Sequence, residues 1–310
     1  MWHWDRRYKM KKQQITHCLL LLLTAFIWGN AFVAQSASMD YIGPFTMNAT
    51  RNVLGVLVLL PVIAVMNRKK AANGEAEVEN GNGNNTKTLV IGGVCCGVFL
   101  CVASNFQQFG ISYTTVGKAG FITALYIVIV PILGIFRGKK AGIQIWLGVA
   151  LAVAGLYLLC MQGGLHLDKG DSLVLGCALA FSMHILTVDF FAPKVDGVKL
   201  SCIQFMVSGI LSGICMMIFE KPQLSQILSA WLPICYAGLL SSGAGYTLQI
   251  VGQKGLNPTV ASLIMSLESV FAALAGFVLL GQKMSVRELV GCVLMFAAII
   301  LAQLPGRRKE

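Results

Sequence analysis

The chain has 310 residues, of which 56% are hydrophobic and only 12% charged, with a mean hydropathy of +0.73, whereas a soluble domain carries about 25% charged residues. Apolar windows of about 20 residues, the length that crosses a hydrocarbon core, recur ten times and leave no room for a separate soluble catalytic domain of ordinary size. The net charge of +11 is placed for topology and not for nucleic acid: with the N-terminus inside, eighteen Lys and Arg fall in inside segments and five in outside loops.

The expected spans are 15–36, 45–66, 88–112, 115–136, 143–161, 172–192, 198–219, 229–251, 258–280 and 285–304. Before them lies a basic and aromatic segment, 1–14, and the apolar run that follows is longer than the core of a cleaved signal peptide. Near the middle of the first span sits Trp28-Gly29-Asn30-Ala31-Phe32, its tryptophan deeper than an interfacial belt residue. Packing through Gly29 is the plain account; a cavity lined by Trp28 and Asn30 is the sharper one. In the second span, Arg51 lies near the outer mouth, where it could attract anions or simply snorkel to headgroups, and snorkelling is the expectation.

Ala71 to Thr86 is rich in Gly and Asn and is expected to be a flexible inside loop. Asn48-Ala49-Thr50 and Asn84-Asn85-Thr86 match the glycosylation triplet, but one abuts a helix and the other lies inside, so neither is expected to be used. All ten cysteines fall within spans, none spaced as a metal or disulfide framework. No metal or cofactor is expected.

The third span carries Cys101, Ser104, Asn105, Gln108 and Ser112 at steps of three and four, one polar stripe on an apolar rod. The eighth carries Ser242, Gly245, Tyr246, Gln249 and Gln253. The stripes coincide when the sequence is shifted by 141, pairing Asn105 with Tyr246 and Gln108 with Gln249. With a shift of 143, Arg137–Leu159 lies on Leu280–Ala302 without a gap, matching Gly148 to Gly291. Two units of five spans follow, and an odd number makes the second enter the membrane from the opposite side. The expected fold is an all-α membrane protein of ten transmembrane helices in two inverted five-helix repeats, with a site at the midplane where the repeats meet.

His184 lies near the middle of the sixth span; a histidine there is either a titrating group or a neutral hydrogen-bonding ring. In the ninth span, Asn257–Leu280, the middle residue is Glu268. An ionisable group at that depth costs roughly 2.5 to 3.5 kcal/mol on insertion scales and normally faces a bundle interior or a water cavity. It is either a substrate or proton site, or a neutral acid acting as packing glue between helices. Under the two shifts it lies opposite Leu125 or Ile127, so the carboxyl belongs to one half only.

The order and spacing of WGNAF in the first span, VPILG at 130–134 and LESVFAALAGFVLLGQ at 267–282 resemble the EamA-type families of the drug/metabolite transporter superfamily, over nearly the whole chain from about residue 15. On that resemblance, 15–161 and 170–304 are the two five-helix repeats, 1–14 and the basic tail 305–310 lie in the cytoplasm, and the protein is a multi-pass carrier of the plasma or inner membrane. Family members commonly have proline straight after the glutamate; Ser269 stands there, which removes the helix irregularity that a proline imposes, and Gln282 replaces the usual acidic residue.

The expected function is secondary transport, as an exporter of a small polar or amphipathic metabolite of the amino acid, amine or nucleobase class. The cavity is expected between spans one, three, four, six, eight and nine, with Trp28, Tyr126 and Tyr246 as aromatic walls and Asn30, Asn105, Gln108 and Gln249 as hydrogen-bonding groups. His184 and Glu268 are the substrate-binding and proton-coupling candidates. The expected partners are a small-molecule substrate and membrane lipid, with no nucleic acid; oligomeric state is left open. A channel or membrane-embedded enzyme is the alternative. No P-loop, HExxH or GxSxG motif is present, so ATP hydrolysis and these hydrolase chemistries have no sequence support, and no catalytic residue is assigned.

Overall fold

A computed structural model describes residues 2–72, 83–114, 116–136, 138, 142–160, 168–280 and 285–303. Every regular element among them is helical. In chain order these are α1 (Trp2–Ser38), α2 (Pro44–Ala72), α3 (Gly83–Ile111), α4 (Val116–Ala124), α5 (Tyr126–Phe136), α6 (Ile143–Cys160), α7 (Lys169–Phe191) and α8 (Gly197–Phe219). There follow α9 (Leu224–Ser229), α10 (Trp231–Cys235), a π-helical segment (Tyr236–Tyr246), α11 (Thr247–Gln253), α12 (Pro258–Met265), α13 (Glu268–Leu280) and α14 (Val286–Gln303). Seven helical stretches among the described residues are long and apolar enough to cross a membrane, one of them, Lys118–Phe136, running through both α4 and α5. Large apolar side chains such as Leu19 and Phe26 on α1 or Ile210, Ile214 and Met217 on α8 point outward, while Gln35, Asn48, Asn52, Gln108 and Gln204 are buried. That is the arrangement a lipid solvent demands.

Several expected boundaries move. α1 begins at Trp2 and runs through the basic segment, and its apolar, membrane-length part is Gln14–Ser38. Most of the expected loop 71–86 and the whole tail 305–310 lie outside the described residues, as does Gln282. The eighth span is not one α-helix: its middle is the π segment, which contains Gly238, Gly243 and Gly245. Widened turns of this kind free carbonyls from the regular ladder, and the indole of Trp28 takes one of them, that of Ser241, at 3.3 Å.

Two rods are broken near their middle. Between α4 and α5 the chain tightens at Leu125, whose amide donates to Ile122 three residues back while Val128 donates to Leu125. Pro131 follows, which lacks the amide that would bond the Ile127 carbonyl. Between α12 and α13 the break covers Ser266 and Leu267, although no proline stands at 269. Here Ser262 and Ser266 take the carbonyls of Thr259 and Leu263 with their hydroxyls, at 2.9 and 2.8 Å. Such side-chain bonds compete with the helix ladder, and Leu267 and Ser269 donate to carbonyls three residues back instead of four. The irregularity survives the loss of the proline.

Packing is tightest where glycines let backbones meet. On Gly29 of α1 an added Cβ would lie 2.6 Å from the Glu268 carbonyl oxygen. α6 and α14 pair along their length, with Gly148 facing the Ala298 carbonyl and Gly155 facing that of Gly291, at 3.0 and 2.8 Å from an added Cβ. At the end where α1 finishes, Glu220 caps α2, accepting from the amides of Phe45 (2.8 Å) and Thr46 (2.7 Å) and from the Thr46 hydroxyl. Close by in sequence to the α3 terminus, Thr114 donates to Asp171 (2.8 Å), which also pairs with Lys118. At the other end Lys70 pairs with Asp196 at 3.3 Å, and Asp196 caps α8.

Candidate functional site

The first residues after both breaks, together with the π segment, line one cavity that opens at its mouth to solvent. On the α1 wall lie Trp28, Ala31, Phe32 and Gln35, and α2 contributes Arg51. Gln107 of α3, Thr123 of α4 and Tyr126 of α5 form a second side. Phe181 and Ile185 of α7, Ser241, Tyr246 and Gln249 of the π segment and α11, and Met265 and Glu268 of the broken ninth rod close it.

Glu268 is the first residue of α13 and is 4% exposed. Tyr126, the first residue of α5, donates its hydroxyl to Glu268 Oε1 at 3.2 Å. Both ends of this bond therefore sit where a rod has just been interrupted, and each projects from the start of a new helical segment. Trp28 packs against Tyr246 with ring centroids 4.6 Å apart, making an aromatic wall beside the acid. Gln107 Nε2 donates to the Thr123 hydroxyl at 3.4 Å.

Of the residues expected at the site, Trp28, Tyr126, Tyr246, Gln249 and Glu268 line the cavity. His184 stands one layer behind: it is fully buried, its Nε2 lies 3.0 Å from Gln204 Oε1, and its ring meets the edge of Tyr246 at 6.0 Å. Asn30 is placed elsewhere, its amide turned back on the Phe26 carbonyl at 2.9 Å. Nor does Asn105 line the cavity; it accepts from Asn48 and donates to the Ser212 hydroxyl, both at 3.0 Å, tying α3 to α2 and α8. Gln108 is fully buried and donates to the Gln35 carbonyl at 3.0 Å, a bond between α3 and α1. The polar stripe of α3 is thus mostly helix-packing glue, and only its neighbour Gln107 reaches the cavity. Asn48, inside that network, is buried and unavailable to a glycan.

Arg51 is the main correction. It does not snorkel: it is 2% exposed, among the largest fully buried side chains, and lines the cavity beside the Tyr246 hydroxyl. Among the described residues its Nε has no hydrogen-bond acceptor, and neither Gln35 Oε1 nor Gln249 Oε1 has a donor. The signal was present in the sequence. Asn48, Arg51, Asn52 and Gly55 fall at i, i+3, i+4 and i+7, one polar and small face of α2, and Asn52 indeed bonds Ser208 across to α8 at 3.0 Å. Among the described residues no group of three or more His, Cys, Asp or Glu is placed to hold a metal ion.

Comparison with known proteins follows the same outline. Residues 15–161 and 168–304 each match the sequence model of the EamA-like transporter family. The chain is 27% identical over 288 residues to an uncharacterized transporter of Archaeoglobus fulgidus, covering 92% of this chain and 84% of that one. It is 22% identical to the uncharacterized transporter YwfM of Bacillus subtilis, over 95% and 96% of the two chains. With the threonine/homoserine exporter RhtA of Salmonella typhimurium it shares 26% identity over 181 residues, 56% of this chain and 59% of the relative. A solved crystal structure superposes with a TM-score of 0.74 at 19% identity, covering 95% of this chain and 98% of that one, a likeness of fold.

Proposed function

The chain belongs to the EamA-like transporter family, and from that membership we propose that it is a secondary active transporter that exports a small polar or amphipathic metabolite, an amino acid, amine or nucleobase, by alternating access. The observation that carries this reading is Glu268: a buried carboxyl on a cavity wall, at a helix break, bonded across to Tyr126 at the other break. A carboxyl so placed meets the solute and exchanges a proton as the cavity changes side. The assignment to export draws on the relative that exports threonine and homoserine.

Inverted repeats supply the moving parts in this proposal. Shifting Gly148 and Gly155 by 143 gives Gly291 and Ala298, so the contacts Gly148 to Ala298 and Gly155 to Gly291 exchange under the shift, as a pseudo-two-fold axis between α6 and α14 requires. Tyr126 and Glu268 both begin a segment after a break, and their separation of 142 falls between the two shifts, so their hydrogen bond joins neighbouring positions of the two repeats. We place both termini in the cytoplasm, from the Lys and Arg count. In that orientation the lining residues nearest to helix ends, Gln35, Arg51 and Gln107, reach toward the outer side. Below the cavity the helices close, with Gly252 against Leu21 and Gln253 donating to the Ile185 carbonyl at 3.3 Å. We read this as an outward-facing state.

The test is Glu268→Gln in liposomes exchanging labelled threonine. Exchange at least tenfold slower than wild type, with its pH dependence flattened, is expected. An unchanged rate and an unchanged pH dependence remove Glu268 from the mechanism.

A further inference from the structure

The cavity holds two ionisable groups of opposite sign that do not neutralise each other. Arg51 enters from α2 and Glu268 from α13, and among the described residues no ion pair includes either. Guanidinium remains protonated in proteins, and a buried charge without a partner is costly. Arg51 is nonetheless held there firmly. Two turns upstream Glu220 caps its helix, Asn52 beside it bonds Ser208, and the Tyr246 hydroxyl lies next to the guanidinium. Its Nε is buried and lacks an acceptor among the described residues. On the other wall, Glu268 has one oxygen engaged by Tyr126. The Trp28 and Tyr246 rings, packed together, and the Gln249 amide line the same cavity, and Gln249 Oε1 is without a donor among the described residues.

We propose that the cavity recognises a zwitterion, a free α-amino acid or a compound of the same charge pattern, with its carboxylate on Arg51, its ammonium on Glu268 and its side chain against Trp28 and Tyr246. This rests on the carrier reading and names the substrate class for it. Planar guanidinium matches a carboxylate through two parallel hydrogen bonds, and a ligand that brings both charges satisfies both walls at once. A solute with only one of them leaves the other wall's ionisable group unmatched, so selectivity against esters and N-acylated forms follows.

The experiment is the melting temperature of the detergent-purified full chain against the twenty standard amino acids, then against the methyl ester and the N-acetyl form of each that binds, since a ligand of the folded state raises apparent stability. Wild type is expected to be stabilised by free amino acids and at least tenfold less strongly bound by either blocked form. Arg51→Gln is expected to weaken amino-acid binding at least tenfold and to erase the preference for the free acid over the ester. Glu268→Gln does the same for the free amine over the N-acetyl form. Should Arg51→Gln fail to elute as a folded monodisperse species, Arg51→Lys keeps the charge without the fork and is expected to bind more weakly; the comparison of blocked forms needs no variant. Equal binding of acid and ester to wild type overturns the proposal, and so does an Arg51→Gln protein that keeps the preference. Stabilisation by amines or nucleobases alone also overturns it while leaving the carrier reading intact. If no amino acid binds, the zwitterion site is refuted, and the carrier reading falls separately only if solute counterflow fails for every class.

Discussion

The two broken rods of this protein reach the same geometry by different chemistry. At Leu125 a tightened turn is followed by Pro131, which cannot complete the ladder. At Ser266 and Leu267 no proline is near, and two serine hydroxyls take the carbonyls of their own helix. Each break ends in a side chain that faces the cavity, Tyr126 in one case and Glu268 in the other, and the two meet at 3.2 Å. The difference teaches that the backbone arrangement and the chemistry placed on it are separable. The interruption can be built from either proline or serine, while the carboxyl appears on one side alone.

That separation is open to attack in decreasing order of effect. Gly29→Leu strikes the crossing of α1 over the Glu268 side, where an added Cβ lies 2.6 Å from a backbone oxygen and the helix has no flexible tip to yield. A loss of about 3 kcal/mol or more is expected, seen as a collapse in the yield of monodisperse protein. Gly120 on the Tyr126 side has only the Ser269 hydroxyl near, at 3.7 Å, so Gly120→Ala is the matched control and should shift stability by no more than about 0.5 kcal/mol. If both glycines tolerate substitution equally, the tight crossing is not what sets the acid in place.

Next in size is the double change Ser262→Ala with Ser266→Ala. Two local hydrogen bonds disappear, and a loss of about 1 kcal/mol is expected in thermal unfolding, together with slower exchange, because the break that aims Glu268 is no longer supported. Stability and exchange both unaltered would mean that the serines follow the break and do not cause it. Smallest is Tyr126→Phe. Interhelical side-chain bonds in membrane proteins average about 0.6 kcal/mol, so only a slight fall in stability is expected, with a measurable change in the pH dependence of exchange because Glu268 loses the hydrogen bond from Tyr126.

Much of this was legible in the sequence because lipid imposes a strong rule. Most spans, the burial of Glu268, and the role of Gly29 as a close-approach residue follow from apolar length and the cost of burying charge. The polar stripe of α3 was legible as a stripe but not as to its partner. Helical periodicity says which residues share a face and not which face meets water, and Asn105 and Gln108 are occupied by Asn48, Ser212 and the Gln35 carbonyl. Arg51 escaped for the opposite reason. Its distance from the helix start fits a headgroup position, and its burial is created by α8 and the π segment lying over α2. The break at Ser266 was hidden because its agents are hydroxyls, which serve equally well inside regular helices.

The account stands or falls on whether a single cavity serves both sides in turn, and solute counterflow measures that most directly. Liposomes containing the purified protein are loaded with unlabelled threonine and diluted into a trace of labelled threonine. A carrier is predicted to accumulate label inside above the outside concentration, transiently, before both decay together. Label that only equilibrates without overshoot, at a rate that does not saturate, would contradict the account and make the cavity part of a passive pore.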